Sequence, residues 1–313
     1  MSLMQQSGDR LLGEGEALGL ARDFLEAAPS LKAEFEVTVN STRDAFARYA
    51  KEGPTQSADR DRIDLALRVR LPAEEGGYRE ARVEAVAPEP ARWGSLYERA
   101  LELARVSPVD SGALALGGDV SVAAPRALDR PTLEHSFEEK AEWIAGALEA
   151  CRAEHLSGAG LLRTTSMSRA LVNSNGRQVF GRRQRASASL TTIDVAEGVE
   201  GFGETIAAEV SGLDREAAVR AAVEKAARGR KPVGHEAGEE VVVLEPHAVS
   251  ALLYFGAHYG FGGREFGEGS SFMAGRLGEQ ALSEAITLDD DAHNALYPAM
   301  PFDGEGTPRQ TTR

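Results

Sequence analysis

The chain has 313 residues, 42% hydrophobic and 27% charged, which is the composition of an ordinary soluble globular protein. Its net charge of −14 repels phosphate backbones and argues against a nucleic-acid binder. The polar first ten residues lack an apolar signal segment, and no apolar run is long enough to cross a membrane. These features, with a single cysteine, predict a cytoplasmic protein without disulfides that binds neither membranes nor nucleic acids.

The first hundred residues alternate between strand and helix periodicity. Apolar and polar residues alternate over 33–39 and 63–71, the period of a strand with one face in water. The predicted strands are 33–39, 46–50, 63–71 and 81–85, and the predicted helices are 16–28 and 93–106. Residues 53 and 54, Gly-Pro, mark a turn. The pattern predicts an α+β fold, with an antiparallel sheet and helices on one face.

The middle of the chain begins with a segment rich in Pro, Gly and Ala at 107–134, predicted to be a loop. Ser136 and Glu139 form a capping box that opens a helix. Cys151 falls on the apolar stripe of this helix, so it is interpreted as a small buried hydrophobe rather than a nucleophile.

A β-rich stretch follows from residue 161, and Asn175-Gly176 predicts a hairpin turn within it. The most basic local run consists of Arg182, Arg183 and Arg185. It is interpreted either as a solvated strand or as a contact with an acidic partner or peptide. Further along, Asp214 is positioned to cap a helix over 215–228.

In the last third, residues 240–244 predict a short strand and residues 245–257 a helix. Six glycines between 256 and 269 indicate sharp turns, without the spacing of a nucleotide-binding loop. We therefore predict three regions: an α+β domain at 1–106, a linker with a helix and hairpin at 107–235, and a β-rich, barrel-like domain at 236–313.

Six short motifs occur in order toward the end of the chain. They are Val-Val-Val-Leu-Glu-Pro at 241–246, Leu-Leu at 252–253, Gly-Ser-Ser-Phe at 269–272, Gly-Arg-Leu-Gly at 275–278, Ile-Thr-Leu-Asp-Asp at 286–290 and Phe-Asp-Gly-Glu-Gly-Thr-Pro at 302–308. In this combination they resemble the TldD/PmbA family, which is also named for modulation of DNA gyrase. The resemblance extends upstream to about residue 30, and the chain is short for the family at its C-terminal end.

The catalytic arm of that family carries His-Glu-x-x-x-His on the helix after the Leu-Leu pair. Two imidazoles on such a helix can hold zinc, and the glutamate can act as general base. In this sequence the three positions are Tyr254, Phe255 and Tyr259, and His258 is one residue out of register. The resemblance therefore points to the TldE (PmbA) arm, which lacks zinc ligands.

The resemblance implies a subunit that binds no metal itself. It pairs with a TldD-like metalloprotease subunit, or with a second copy of itself, and acts on small or unfolded peptides. Zinc is expected in the partner, and no cofactor is expected in this chain. The resemblance places the turn at 303–307 near a peptide cleft, and the candidate cleft-lining residues are His258, Ser270, Ser271, Asp303 and Glu305.

Two other functions remain open from the sequence. The first is a self-sufficient hydrolase that uses His235, His258 and the acidic run 289–291. The second is a regulatory protein without proteolytic activity, such as a modulator of DNA gyrase. His235-Glu236 begins like a metalloprotease motif but has no second histidine at the required spacing.

Overall fold

A computed structural model describes residues 11–51, 53–87 and 89–312. The segment 1–10, interpreted above as lacking a signal peptide, lies outside these residues. The chain divides into two compact units. The larger runs to Arg230 and includes Asp291–Thr311, and the smaller contains Lys231–Asp290 and Thr312.

The larger unit is built on one curled, seven-stranded antiparallel sheet that forms a half-barrel. Its strands are β1 (Glu34–Ala50), β2 (Gly53–Pro72), β3 (Tyr78–Val86), β4 (Val109–Asp110), β5 (Ser157–Asn173), β6 (Gln178–Asp194) and β7 (Val199–Ala207). They lie in the order β4-β3-β2-β1-β5-β6-β7. The early and middle strands therefore belong to one sheet.

The helices are α1 (Glu14–Glu26), α2 (Trp93–Val106), α3 (Arg130–Leu133), α4 (Phe137–Ala153), α5 (Arg215–Gly229), α6 (Pro246–Tyr259) and α7 (Gly263–Gly267). Two of the predicted caps are present: the Ser136 side chain accepts from the Glu139 amide, and Asp214 accepts from the Ala217 amide. Helices α1, α2, α4 and α5 pack on the same face of the sheet. The α+β class with helices on one face is confirmed.

Two apolar cores lie between these helices and the sheet. In the first, Phe24 and Tyr97 stack with ring centroids 5.0 Å apart against the strand residues Val37 and Leu67. In the second, Ile144, Leu148 and Cys151 of α4 pack on Tyr49, Leu190 and the alanines of α5. Cys151 is buried there, and burial raises the pKa of its thiol, as suits a structural residue.

The prediction of a separate strand at 46–50 was wrong, because these residues form the end of the long strand β1. Residues 40–44 are polar on both faces and hide the alternation, yet β2 and β5 pair with them on either side. The turn falls at Lys51, with φ of 53°, and Gly53 already begins β2. The backbone hydrogen bonds of β1 thus continue through 40–44, although the side chains there do not show the apolar alternation that indicates a strand.

Residues 240–244, predicted as a strand, do not form one. Val241 and Val243 are 99% and 96% exposed, and no strand in the described part of the chain lies beside them. A strand requires a neighbour to satisfy its backbone groups. The β-structure expected after residue 236 is limited, among the described residues, to two isolated bridges. None of the described helices is long and apolar enough to span a membrane.

Helix α5 approaches the sheet so closely that glycine is required on β7. A Cβ atom at Gly203 would lie 1.9 Å from the carbonyl oxygen of Ala218, and one at Gly201 equally close to that of Ala222. Ala218, Ala222 and the two glycines therefore let backbone pack on backbone. Any larger side chain on β7 at these positions must push the helix away.

We expect Gly203→Ala to lower the free energy of unfolding by roughly 2 kcal/mol, because α5 must shift to admit the methyl group. Urea unfolding followed by circular dichroism measures the change. The matched control is Gly19→Ala in α1, where a Cβ meets nothing within 4 Å. The control should stabilise the protein by roughly 0.5–1 kcal/mol through helix propensity. Equal stability of the two variants would contradict this account.

Candidate functional site

Helix α6 carries the positions where the family resemblance places zinc ligands. Pro246 occupies the first turn of the helix, where its missing amide is not needed, and Gly260 caps the other end. The helix has no Asp, Glu, Lys or Arg, and none of its residues is buried within the described structure. Its apolar and aromatic side chains are therefore left uncovered by the described residues.

The four rings at the end of α6 contact one another. Tyr254 and His258 stack with centroids 6.4 Å apart, and Phe255 and Tyr259 stack at 6.3 Å, as residues one turn apart on a helix do. His258 also meets Tyr259 edge to face at 4.7 Å. Positions 254, 255 and 259 hold phenol, phenyl and phenol, whereas zinc sites use thiolate, imidazole and carboxylate ligands. These residues do not fit a zinc ion or a general base.

The glycine-rich segment after α6 is organised by Ser271. Its buried hydroxyl donates to the carbonyl of Gly260 and accepts from the amide of Met273 at 3.1 Å. The amides of Ser270 and Ser271 both donate to the carbonyl of Glu265 at 2.9 Å. Ser271 therefore holds the turn together, whereas the side chain of Ser270 is exposed.

The other candidate residues lie in the larger unit, on the turn from Asp303 to Thr307. The carboxylate of Asp303 accepts from the amides of Glu305 and Thr307, both at 2.9 Å. Gly306 adopts φ of 74°, which favours glycine. Arg177 donates to the carbonyl of Glu305 at 2.7 Å and so holds the turn on the hairpin that contains Asn175-Gly176.

Glu305 belongs to an ion-pair network on the face of the sheet opposite the helices. Its carboxylate accepts from Arg68 at 2.8 Å and from Arg70 at 3.3 Å. Both arginines also bind Glu80, at 2.8 and 2.6 Å, and Arg68 lies 3.6 Å from Glu36. We call these five residues the charge network. Glu305 is thus a bridging residue and not simply a residue of a solvated turn.

The two carboxyls of the network on the sheet itself have opposite pKa shifts. Burial raises the pKa of Glu36 above its ordinary value of 4.5, although Arg68 opposes the shift. Burial acts in the same direction on Glu80, but hydrogen bonds from Arg68 and Arg70 outweigh it and lower the pKa of that carboxyl. The ionised form is therefore less favourable at Glu36 than at Glu80. The Oε2 atom of Glu36 has no hydrogen-bond partner among the described residues.

This network was not predicted from the sequence, because the alternating pattern places these side chains on a face in water. Glu36 and Arg70 are in fact 4% and 6% exposed. The loop around Leu114, whose carbonyl accepts from Arg70, and the turn with Glu305 cover them. The sequence did contain one signal for the network: carboxylates and guanidiniums occur at corresponding positions of neighbouring strands. Glu36, for example, pairs directly with Arg68 in the register.

The remaining candidates do not come together. His235 lies in an extended stretch, 3.3 Å from Glu240. Asp291 accepts from the amide of His293 at 3.0 Å and from the Thr311 hydroxyl at 3.0 Å, as a turn residue does. In the part of the chain that the structure describes, no three His, Cys, Asp or Glu side chains converge as metal ligands.

Two family models match the sequence. The PmbA/TldA metallopeptidase central domain matches residues 130–230, and the PmbA/TldA metallopeptidase C-terminal domain matches residues 237–313. Together they cover more than half of the chain, and they define a metallopeptidase-type domain arrangement. The chain belongs to the TldD/PmbA family. No significant match was found among curated protein sequences.

Solved structures show the same fold. TldE from Thermococcus kodakarensis matches with a TM-score of 0.78 and 22% identity, over 94% of this chain and 66% of its own. A protein of Thermotoga maritima, described as a candidate modulator of DNA gyrase, matches at 0.73 with 18% identity, over 95% and 66%. A similarly described protein of Bacteroides thetaiotaomicron matches at 0.68 with 16% identity, over 95% and 68%. The chain thus spans about two thirds of their length.

The raised pKa of Glu36 predicts a pH-dependent stability. A carboxyl with a higher pKa in the folded protein favours folding fully below its unfolded value of 4.5 and loses that contribution as pH rises through the folded pKa. Glu36→Gln removes this loss. We expect the free energy of unfolding of this variant, relative to the unsubstituted protein, to be higher at neutral pH than near pH 4, by about 1.4 kcal/mol for each unit of pKa shift. Its melting temperature should rise accordingly.

Differential scanning calorimetry at the two pH values measures the effect. Glu84→Gln is the control, because Glu84 is an exposed carboxylate on the same face, paired with Arg82. An exposed pair contributes little, so this variant should change the melting temperature slightly at either pH. A Glu36→Gln variant that is less stable at neutral pH than at acid pH, relative to the unsubstituted protein, would contradict the assignment.

Proposed function

We propose that this chain is the subunit without metal in a two-subunit metalloprotease of the TldD/TldE type, acting on small or unfolded peptides. The partner is a TldD-like subunit that carries an intact His-Glu-x-x-x-His helix. Zinc polarises the scissile carbonyl and activates water when it is bound in that partner. This chain contributes the surface on which the partner assembles.

The observation that carries the proposal is the replacement of all three ligand and base positions on α6. Tyr254, Phe255 and Tyr259 stand where imidazole, carboxylate and imidazole would be needed. A phenyl ring has no lone pair for a metal or a proton, so Phe255 cannot act as a base. Family membership together with this loss supports a chain that depends on a partner for the chemistry.

The surface of the smaller unit supports assembly. Its exposed apolar side chains include Val241, Val242, Val243, Leu244, Leu252, Leu253, Tyr254, Phe255, Tyr259, Leu277 and Ile286. Exposed apolar surface of this extent marks a site where further polypeptide packs, and the proposal assigns that site to the partner. A partner that covers α6 would remove this surface from water, and the lack of charged residues on the helix lowers the cost of doing so.

The proposal assigns different roles to the candidate residues. His258 and Ser270 have exposed side chains and are proposed to contact peptide. Ser271 and Asp303 use their polar atoms to hold turns, and Glu305 binds Arg68 and Arg70. These three are proposed to shape the cleft through the backbone that they position.

Co-expression with a TldD-like subunit tests the proposal. We expect a stable heterodimer that cleaves unfolded peptides, with zinc, measured by mass spectrometry, stoichiometric with the partner. Glutamine in place of the glutamate of the partner's motif should abolish cleavage. Tyr254→Ala with Tyr259→Ala in this chain should leave the zinc content unchanged. Stoichiometric zinc and peptide cleavage by this chain alone would contradict the proposal and favour a self-sufficient hydrolase.

The assembly surface has its own matched test. Leu253 of α6 and Leu103 of α2 are 41% and 42% exposed, so the same substitution introduces a charge at equal accessibility. We expect Leu253→Asp to weaken co-purification at least about tenfold, as loss of an interface anchor does, and Leu103→Asp to have no effect. Equal loss in both variants, or in neither, would exclude α6 from the interface. A homodimer that forms without the partner would favour self-association.

A further inference from the structure

Three arginines gather on the face of the sheet that the helices leave open. Arg183 and Arg185 lie two residues apart on β6, so both point to the same face. In the register, Arg183 pairs with Met167 and Arg185 with Thr165 on β5, and Arg169 follows two residues beyond Met167. We call Arg169, Arg183 and Arg185 the arginine cluster. Arg183 and Arg185 are exposed, and Arg169 is partly buried.

Three other arginines on this face are neutralised by carboxylates of the same sheet. Arg163 binds Asp44 at 2.6 Å, Arg62 binds Asp64 at 2.6 Å, and Arg82 binds Glu84 at 3.0 Å. In each of these three pairs the cation has a carboxylate partner within the sheet. The arginine cluster departs from this pattern.

No carboxylate of the described residues lies within ion-pair distance of the cluster. Arg169 donates through Nε to the neutral side chain of Asn40 at 2.7 Å, and Arg183 and Arg185 have no ion pair within the described structure. Among the residues that the structure describes, these three positive charges therefore have no carboxylate partner, on a chain whose net charge is −14.

Desolvation and, to a smaller extent, repulsion between like charges both act on the cluster. Burial lowers the pKa of Arg169, and the like charges of Arg183 and Arg82 lower it further. The guanidinium of Arg183 is partly desolvated although its side chain reaches solvent, and this desolvation and the charge of Arg185 both lower its pKa. An anion placed among these guanidiniums would relieve this repulsion, whereas a cation or an apolar surface would not.

We propose that the arginine cluster binds an acidic polypeptide segment in extended conformation, with carboxylates on alternate residues. Alternate residues of a strand lie roughly 6.8 Å apart, and an extended peptide has the same spacing. Arg183 and Arg185 therefore match the side-chain repeat of a Glu-x-Glu sequence. Arginine binds carboxylate through paired hydrogen bonds, which adds geometric selectivity to the charge attraction.

Polypeptide is favoured over nucleic acid because of the rest of the surface. A polyphosphate extends its charge beyond three cations and would meet the repulsion of an acidic chain. A short peptide with a few carboxylates can confine its charge to the cluster. All three arginines belong to this chain, so the proposed peptide binding does not depend on the proposed zinc-bearing partner.

Fluorescence anisotropy with the full chain tests the proposal. The probe is a short fluorescein-labelled peptide in which glutamate alternates with threonine, and the reference probe has glutamine in place of glutamate. We expect the glutamate peptide to bind at low salt, and the glutamine peptide to bind at least about tenfold more weakly. Binding should weaken as salt is raised, because the cluster is exposed to solvent.

Substitutions then locate the site. Arg183→Gln with Arg185→Gln should raise the Kd roughly fivefold or more, as expected for the loss of two exposed charge pairs. Arg99→Gln with Arg105→Gln, two exposed arginines on α2, makes the same change in net charge and should leave the Kd within about twofold, since long-range effects of exposed charges are screened. Melting curves of both variants verify that each remains folded.

Three results would overturn the proposal. The glutamate and glutamine peptides could bind equally, or the glutamate peptide could fail to bind. The α2 variant could lose as much affinity as the β6 variant, which would mean a general charge effect. A single-stranded oligonucleotide could bind more tightly than the peptide through the same two arginines, which would identify a phosphate site instead.

Discussion

Strand β1 is hydrogen-bonded along nearly its whole length to β2 on one side and β5 on the other. This double ladder fixes the register of the sheet, and register decides which face each side chain takes, because the side-chain period of a strand is two. Val37 and Val39 face the helices and the apolar core, whereas Glu36 and Asn40 face the opposite side. A slip by one residue would exchange the two sets.

The two faces of the sheet therefore serve different purposes. One face supports α1, α2, α4 and α5 and supplies the stability of the larger unit. The other holds the charge network, which fastens the turn at Asp303–Thr307 to the sheet, and the arginine cluster, in which Arg183 and Arg185 have no ion pair among the described residues. Buried ion pairs are weak evidence of stability but fix geometry when every partner is held, as Arg68 and Arg70 are here.

Local signals in the sequence predicted the elements whose ends are set by local chemistry. Helix α2 runs from Trp93 to Val106 as predicted, and the Ser136 capping box and the turn at Asn175-Gly176 occur where their side chains require them. The course of β1 through residues 40–44 could not be predicted, because its partners are distant in sequence and its side chains there are polar on both faces.

The candidate site shows the same division between local and distant information. The identities at 254, 255 and 259 are readable from the sequence, and the proposal that α6 binds no zinc rests on them. The bonds of Glu305 are not readable, since Arg68 and Arg70 lie more than two hundred residues away. Likewise, the register is needed to assign the arginines of the run at 182–185 to the two faces of the sheet. Arg182 lies on the helix side, whereas Arg183 and Arg185 lie on the open face.

The central claim is that the zinc of the assembled enzyme is bound by the partner and not by this chain. Anomalous diffraction at the zinc edge from crystals of the complex tests it most directly. The account predicts one peak for each heterodimer, on the partner's His-Glu-x-x-x-His helix, and none beside Tyr254, Phe255 and Tyr259. A peak coordinated by side chains of this chain next to α6 would contradict it.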